Sequence, residues 1–506
     1  MALIAVREAP VSRPTTARPR RPSTLWAPRR AVGVYLLMRV VQLAMLGNPV
    51  VTADTPMYRR PDQGWLEFGT TSLAGNSLRP WPITVLYALV PNDTWRVIAQ
   101  ILIATCCWSF CIWQFARLTP NRFASLGLGL IVAGFAGTAG VSGFDAALLS
   151  ESVTVSMVAL FVGGLLSAGG GRGRLPTMTV TFVVASLLGV VRPVLIPLIV
   201  VAVLLAGLAR LRDHGRTGPA LVPALVLAML GVGTTAYAWN YNTQIDRTWG
   251  KWMSVPGLNG RTLTQYYLAA YTTPSGPALI DAMVDAGAPA CLRQVPPPDG
   301  GEAAVDPVAV DRLACREGQA WLSERYISTL VRHLARHPSA AVTYFRDALD
   351  DASVVSVQNA VGEQSLPSLV PGPVERLFFT RREASVLGPL LMWSAIAAVA
   401  LAVGSRVGRR LEAPGPEFMG HRALGWPIGL ALVAGYAALA GTALLSAADA
   451  SRVALPVTVL LRLLLLAVVA WAAVAIVAAV RDVRSQALRH RPRPLAGPTA
   501  ARPSPP

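Results

Sequence analysis

The chain predicts an all-α polytopic membrane protein with about ten transmembrane helices. Its 506 residues are 53% hydrophobic and only 14% charged, with a mean hydropathy of +0.47. Soluble domains carry roughly a quarter charged residues, so this composition is typical of a chain that faces lipid. Two further observations support the prediction: a series of long apolar runs, and an uneven distribution of arginine between them.

Ten apolar runs are long enough, or nearly long enough, to cross a bilayer as helices. They are 31–47, 95–116, 123–141, 152–170, 177–191, 193–209, 219–238, 386–404, 425–446 and 453–480. The first run is short, and the two that meet at Arg192-Pro193 could instead form one kinked helix. That alternative would move every later loop to the opposite side of the membrane.

The distribution of charge favours ten helices with both termini in the cytoplasm. In that arrangement the inner segments hold 24 of the 45 basic residues but only five of the 27 acidic residues. Cytoplasmic loops of membrane proteins carry such an excess of basic residues. A count of nine helices mixes these loops between the two sides, so we expect ten.

This topology divides the chain into five regions. They are a disordered cytoplasmic tail (1–30), an N-terminal membrane domain (31–238) with an outer first loop (48–94), an extracytoplasmic domain (239–385), a C-terminal membrane domain (386–482) and a second disordered cytoplasmic tail (483–506). The first 30 residues lack the pattern of a cleavable signal peptide, so we expect the first helix to be an uncleaved anchor.

The extracytoplasmic domain is predicted to be mostly helical. Helical periodicity covers 262–288 and 308–351, and His337-Pro338 should break the second stretch into two helices. Cys291 and Cys315 flank the Pro-rich spacer of this domain, where an oxidising compartment would allow a disulfide between them. The other three cysteines lie inside the second apolar run and are expected to pack as small apolar residues.

Composition and motifs exclude two classes of ligand. A pI near 10.7 would suit nucleic acid, but the arginines are scattered over short loops that flank membrane helices. Attraction to anionic membrane lipid explains that placement better. The sequence has no CxxC, HExxH or Cys/His cluster, so we expect no zinc site, and no cofactor is predicted.

The candidate site is a set of acids and arginines that the topology brings to the outer membrane surface. It comprises Asp54, Tyr58, Arg59, Arg60, Asp62 and Arg79 in the first loop, Asp145 and Glu151 in a tight turn, Arg192 after the fifth run, and Arg452 before the tenth. A partly buried carboxylate can act as a general base, and arginine binds phosphate in bidentate fashion. Such a set suits a substrate with a phosphate head and a lipid tail.

Structural roles remain open for four of these residues. Arg192 and Arg452 could extend from helix ends to the membrane surface, while Glu151 and Asp54 could cap helices. Arg39 and Arg462 lie well inside their helices and need a partner or water, because a buried charge is costly in a membrane.

Several of these motifs resemble those of the GT-C class of integral-membrane glycosyltransferases, which use a polyprenyl-phosphate sugar donor. The similar segments are "VTADTPMY", "SLRPWPITVLYALV", "LLSESVTVSMVAL", "VVRPVLIPL" and "ASRVALPVTVLL". The resemblance covers the membrane core but not clearly residues 239–385. Two departures are the Asp-Thr pair in place of two adjacent acids, and Val453 in place of a frequent tyrosine.

The resemblance implies a role for each matching residue. Asp54 would be the catalytic base, Arg192 and Arg452 would bind the donor phosphate with Arg79 as a further candidate, and Tyr58 and Glu151 would shape the pocket. Any second acid would come from Asp62, Asp145 or Glu151.

The expected function is therefore transfer of a sugar from a polyprenyl-phosphate donor to an extracytoplasmic acceptor, with inversion. A lipid or solute transporter and a non-catalytic membrane scaffold are the alternatives. A transporter would normally show a two-fold repeat of its helices, which the order of seven helices, a large domain and three helices lacks.

Overall fold

The structure is a computed structural model of the whole chain. It describes residues 25–51, 55, 83, 86–87, 89–119, 121–168, 174–192, 195–198, 201, 233, 236, 276–294, 316–343, 367–379, 389–410, 416–445 and 450–489. Within these residues the regular elements are helices, and the β pairing is a single parallel bridge between Val50 and Ala147. The predicted helical class is confirmed for this part of the chain.

Eleven α-helices are described, together with two short 3₁₀ helices at Gly143–Ala146 and Ala290–Gln294. The α-helices are α1 (Trp26–Ala44), α2 (Asp93–Ala116), α3 (Arg122–Ala136), α4 (Ser150–Ala168), α5 (Arg174–Val191), α6 (Gly276–Asp285), α7 (Arg316–Arg336), α8 (Gly372–Phe378), α9 (Pro389–Arg410), α10 (Pro416–Leu445) and α11 (Ala450–Arg489).

Three of the described helices are long and apolar enough to cross a membrane by themselves. Their spans are Asp93–Ala116, Ser150–Ser167 and Ala454–Val474, and shorter apolar segments lie at Arg122–Ala136, Met392–Val403 and Ile428–Thr442. These helices make the chain a helical membrane protein. The runs 193–209 and 219–238 fall almost entirely outside the described residues, so the count of ten stays a prediction.

Helices continue beyond the apolar runs at both ends of the described chain. α1 begins at Trp26, with the Arg30 guanidinium 4.0 Å from the centre of the Trp26 ring. α11 continues to Arg489 through residues with good helix propensity. Residues 26–30 and 483–489 therefore belong to helices, and the remaining tail residues, 1–24 and 490–506, lie outside the described part.

The membrane helices pack into a bundle centred on α4. This helix packs against α2, α5 and α11; α1 packs against α2 and α3, and α11 packs against α9 and α10. The Trp108 side chain of α2 is fully buried and meets the Phe135 ring edge-on, with 5.8 Å between ring centres. Asn92 and Asn121 cap α2 and α3 with their side-chain oxygens.

The turn between α3 and α4 lies inside this bundle. α3 has 15 residues and is about 22 Å long, whereas α2 has 24 residues and is about 36 Å long. Gln100, about 10 Å along α2 from Asp93, donates hydrogen bonds from Nε2 to the carbonyl oxygens of Asp145 (3.1 Å) and Ala147 (2.9 Å). Residues 141–156 are all buried. We call residues 137–149 the sunken turn.

The segment 239–385 contributes two described pieces. In the first, α6 packs against α7, and α7 ends at Arg336. Helical structure resumes at residue 338, which confirms the predicted break at His337-Pro338. The second piece is residues 367–379, which contain α8 and pack against α3 and α9.

Candidate functional site

A buried ion pair joins α1 to the sunken turn. Arg39 donates from its NH1 nitrogen to Oδ2 of Asp145 at 2.5 Å, and the side chains of both residues are 2% exposed. Arg39 also donates to the Tyr35 hydroxyl (2.6 Å) and to Oε1 of Gln42 (2.5 Å). Asp145 is therefore the partner that the sequence required for Arg39 but could not name.

Neighbouring side chains complete this polar cluster. Ser152 of α4 donates to Oδ1 of Asp145 at 2.5 Å, and Gln42 donates to the carbonyl oxygen of Ser142 at 2.9 Å. Burial raises the pKa of the Asp145 carboxyl, while the positive charge of Arg39 and the Ser152 hydroxyl oppose that shift. Asp145 is thus held on both oxygen atoms by described residues, which suits a scaffolding role.

A second ion pair joins the start of α4 to the end of α5. Arg192 donates from NH2 to Oε1 of Glu151 and, at 3.1 Å, to Oγ of Ser150. The Arg192 side chain is 14% exposed and that of Glu151 is 1% exposed. The Nε atom of Arg192 is buried without a hydrogen-bond partner. Two predicted site residues from distant segments are brought into contact here.

The first loop also hydrogen-bonds to the sunken turn. Val50 donates from its backbone nitrogen to the carbonyl oxygen of Ala146 (2.9 Å), and Leu148 donates back to Val50 (3.1 Å). Thr55, which follows Asp54 in the sequence, donates from Oγ1 to the carbonyl oxygen of Leu148 at 3.3 Å and is fully buried. These contacts bring the residues on either side of positions 52–54 to the sunken turn.

Several predicted site residues are not covered by these contacts. Asp54, Tyr58, Asp62 and Arg79 lie outside the described residues, as do Arg59 and Arg60. Arg452 is in the first turn of α11, and only its backbone is described. Asp145 and Glu151, which the sequence placed at the membrane surface, are buried between helices because α3 is shorter than α2.

A network on α2 supports the turn from the other side. Tyr87 donates from its hydroxyl to Oε1 of Gln100 at 2.5 Å. Arg96 donates from Nε and NH2 to the Tyr87 carbonyl oxygen (3.1 and 2.9 Å) and from NH1 to Asp93 (2.9 Å). All three nitrogen atoms of the Arg96 guanidinium are therefore used by described residues, unlike those of Arg192.

The segment 367–379 packs against the sunken turn and hydrogen-bonds to it. Both carboxylate oxygens of Glu375 accept from the backbone nitrogen of Ala139 (2.9 and 3.0 Å), and Leu369 donates to the Gly137 carbonyl oxygen at 2.8 Å. The Phe379 ring lies so close to Gly140 that an added Cβ there would meet ring atoms at 2.7–3.0 Å. Glycine at position 140 thus permits this close approach.

Arg462 contacts the same segment, 367–379. Its Nε donates to the carbonyl oxygen of Phe378 at 2.9 Å, and its guanidinium carbon is 4.4 Å from the centre of the Phe379 ring. The residue is 1% exposed, and its NH1 and NH2 atoms have no hydrogen-bond partner. The sequence showed that Arg462 needs a partner, and the structure supplies one for a single nitrogen.

The predicted disulfide can be checked at one of its two cysteines, Cys291. Cys291 is disulfide-bonded, whereas Cys106, Cys107 and Cys111 are free. Cys315 lies outside the described residues, so its pairing with Cys291 stays a prediction. Among the described residues, no group of three or more potential metal ligands is found.

Four supporting residues were missed by sequence reasoning: Gln42, Gln100, Ser152 and Glu375. A signal existed for the two glutamines, because each interrupts an otherwise apolar helix and needs a buried partner. Glu375 gave no such signal, since it lies in a polar segment.

Comparison with known proteins adds no assignment. No protein-family model matches the chain, and neither a curated protein nor a solved structure shows significant similarity to it.

Proposed function

We propose that the protein is a membrane glycosyltransferase that moves a sugar from a polyprenyl-phosphate donor to an extracytoplasmic acceptor. The observation that carries this proposal is the contact between Arg192 and Glu151 beside a turn that also meets the first loop at Val50 and Thr55. Acids and arginines from segments far apart in sequence thus lie around one buried turn.

Arg192 is the proposed ligand of the donor phosphate. Glu151 holds one terminal nitrogen and so orients the guanidinium, while Nε stays available to an anion. Arginine binds phosphate in bidentate fashion and remains charged on burial. Arg452 and Arg79 are proposed as further phosphate ligands, and Tyr58 and Asp62 as pocket residues.

Asp54 is the proposed general base. The oxygen of the acceptor hydroxyl bonds to the anomeric carbon as the bond from that carbon to the phosphate oxygen breaks. The hydroxyl proton passes to Asp54, and polyprenyl phosphate leaves with the bonding electron pair. Attack from the face opposite the leaving group inverts the anomeric centre. Asp145 and Glu151 are already paired with arginines, which leaves Asp54 the better base.

The proposed topology has ten transmembrane helices, both termini in the cytoplasm and the reaction on the extracytoplasmic face. A cysteine introduced at Asp299 should react with a membrane-impermeant maleimide in intact cells. Labelling that requires permeabilised cells would invert the topology and place the proposed site on the wrong side.

The decisive experiment measures sugar transfer by the full-length protein reconstituted in vesicles, with a panel of polyprenyl-phosphate sugars and a membrane extract as the acceptor source. Asp54→Asn should reduce transfer by roughly 10²- to 10⁴-fold, the usual contribution of a general base. The amide is nearly isosteric and caps a turn about as well as the acid, so expression should hold. Transfer at the wild-type rate by Asp54→Asn would refute the assigned base.

A non-catalytic membrane scaffold is the second candidate, favoured by one observation. The carboxylates of Asp145 in the sunken turn and of Glu151 at the start of α4 are already ion-paired. A scaffold would show no transfer with any donor of the panel, in wild type and variants alike.

A further inference from the structure

Arg462 is a buried charge that the described residues only partly satisfy. It lies within the apolar span Ala454–Val474, where α11 is enclosed by α4, α9 and α10. Nε is bonded to a backbone carbonyl, and the guanidinium lies over the Phe379 ring. The two terminal nitrogens, NH1 and NH2, have no hydrogen-bond partner.

An arginine in this position requires an anion. Arginine is not deprotonated in proteins, and a charged group inside a membrane bundle is costly unless it is paired. The aromatic ring and the single carbonyl oxygen stabilise the cation without neutralising it. The remaining donors form the outer edge of a planar fork, which matches two oxygens of one phosphate group.

The position of Arg462 relates it to the sunken turn. The Phe379 ring contacts both: its centre is 4.4 Å from the guanidinium carbon of Arg462, and a Cβ added at Gly140 would meet its atoms at 2.7–3.0 Å. Residues 454–468 of α11 are all buried, and apart from Thr458, whose hydroxyl is bonded to the Leu455 carbonyl oxygen, the side chains around Arg462 are apolar. A ligand for this fork must therefore bring apolar surface together with its negative charge.

We propose that Arg462 binds the phosphate group of a lipid through NH1 and NH2, as a binding residue separate from Arg192 and Arg452. A single-chain prenyl phosphate fits this chemistry, and the choice of a prenyl tail rests on the proposed function. The segment 367–379 helps to form the site, since its Phe378 carbonyl oxygen and Phe379 ring orient the guanidinium.

Ligand-dependent thermal unfolding of the full-length protein in detergent tests this proposal. The probes are farnesyl phosphate, farnesol and inorganic phosphate. We expect farnesyl phosphate alone to raise the Tm with increasing concentration, as a ligand of the folded state does. Arg462→Met should weaken that binding on the order of 30-fold or more, the loss expected when one partner of a buried charge pair is removed. Arg462→Lys should also weaken it, because lysine lacks the planar fork.

Arg96→Met is the matched control, because the nitrogens of Arg96 are already bonded to Tyr87 and Asp93; it should keep the wild-type response. Arg462→Met itself should fold, since replacing a buried charge by an apolar side chain of similar volume is often neutral or stabilising. If Arg462→Met does not fold, the proposal is tested by the Tm response of Arg462→Lys to farnesyl phosphate.

A wild-type response in both Arg462 variants, or none in the wild type, would overturn the proposal. If inorganic phosphate raised the Tm as much as farnesyl phosphate does, the claim that the ligand is a lipid would be overturned. Farnesyl phosphate carries no sugar, so binding is measured independently of transfer. A protein that binds it through Arg462 but transfers no sugar would refute only the proposed function.

Discussion

Arg39 and Asp145, 106 residues apart in the sequence, form a buried ion pair with 2.5 Å between NH1 and Oδ2. This contact ties the first helix to the turn that precedes α4, and Ser152 holds the second carboxylate oxygen. It explains why an arginine is tolerated so deep in α1, since an unpaired charge there would be strongly destabilising.

Breaking this pair should destabilise the bundle. Asp145→Leu leaves the Arg39 charge buried and should lower the free energy of unfolding by about 3–5 kcal/mol. The double variant Arg39→Met/Asp145→Leu should recover most of that loss, because no charge remains unpaired. Denaturant unfolding in detergent measures both. Asp281→Asn, which breaks the exposed pair with Arg293, should cost less than about 1 kcal/mol. Equal losses in the single and double variants would argue against the pair.

Arg192→Lys should weaken binding of the donor although the charge is kept. Lysine loses the planar fork that contacts Glu151 and Ser150 and offers a further donor at Nε. The dissociation constant of a polyprenyl-phosphate sugar, measured on the full-length protein, should rise by about tenfold or more, as expected when roughly 1.4 kcal/mol is lost. Arg96→Lys is the control, since each of the three guanidinium nitrogen atoms of Arg96 is already bonded to a described residue. Equal donor affinity in Arg192→Lys and wild type would leave Arg192 a purely structural residue.

Glu375→Ala should release the segment 367–379 from the sunken turn. The substitution removes both acceptors of the partly buried Ala139 amide and should cost about 1 kcal/mol, the lower end of the penalty for an unsatisfied donor. Hydrogen exchange should then accelerate in residues 367–379 and 137–140. Glu317→Ala, an exposed acid in the first turn of α7, provides the control. Unchanged exchange in Glu375→Ala would show that other contacts suffice to hold the segment.

Cys291 should be linked to Cys315. Non-reducing mass spectrometry of the protein purified from membranes should find one peptide pair containing both residues. Cys291→Ser should then destabilise the segment 239–385 by about 3 kcal/mol, while Cys106→Ser, at a free and exposed cysteine, should have no such effect. A linkage of Cys291 to a second protein chain would contradict the predicted loop.

The helix α7 should lose stability in acid. Burial lowers the pKa of His333, and the neighbouring His337, with its ring centre 4.8 Å away, lowers it further. Because the unfolded chain binds the proton more tightly, the stabilisation is present above the ordinary histidine pKa and is lost as pH falls through the lower pKa of the folded state. The protection factors of amides in α7, corrected for the intrinsic pH dependence of exchange, should therefore fall from about pH 8 to about pH 5. His333→Gln should reduce that dependence and His421→Gln should not. An unaltered pH profile in His333→Gln would exclude this residue as the cause.

The sequence by itself determined the features that depend on local composition and spacing. The apolar runs predicted a helical membrane protein, because each run must satisfy its own backbone in lipid. His337-Pro338 predicted the end of α7, and Arg192-Pro193 marked the point where α5 ends at Val191. Proline acts on its own helix, so such breaks can be read without knowledge of neighbours.

Only the tertiary structure decided depth and partnership. Asp145 and Glu151 are buried because α3 is shorter than α2 and draws the turn into the bundle. Arg39 forms an ion pair with Asp145, and the Glu375 carboxylate accepts a hydrogen bond from the backbone of Ala139, 236 residues away in the sequence. Local periodicity reports which face of a helix is apolar, but it carries no information about which distant segment covers that face. The choice of partner depends on how all the helices pack together, and so the polar contacts around the sunken turn could be seen only in the folded chain.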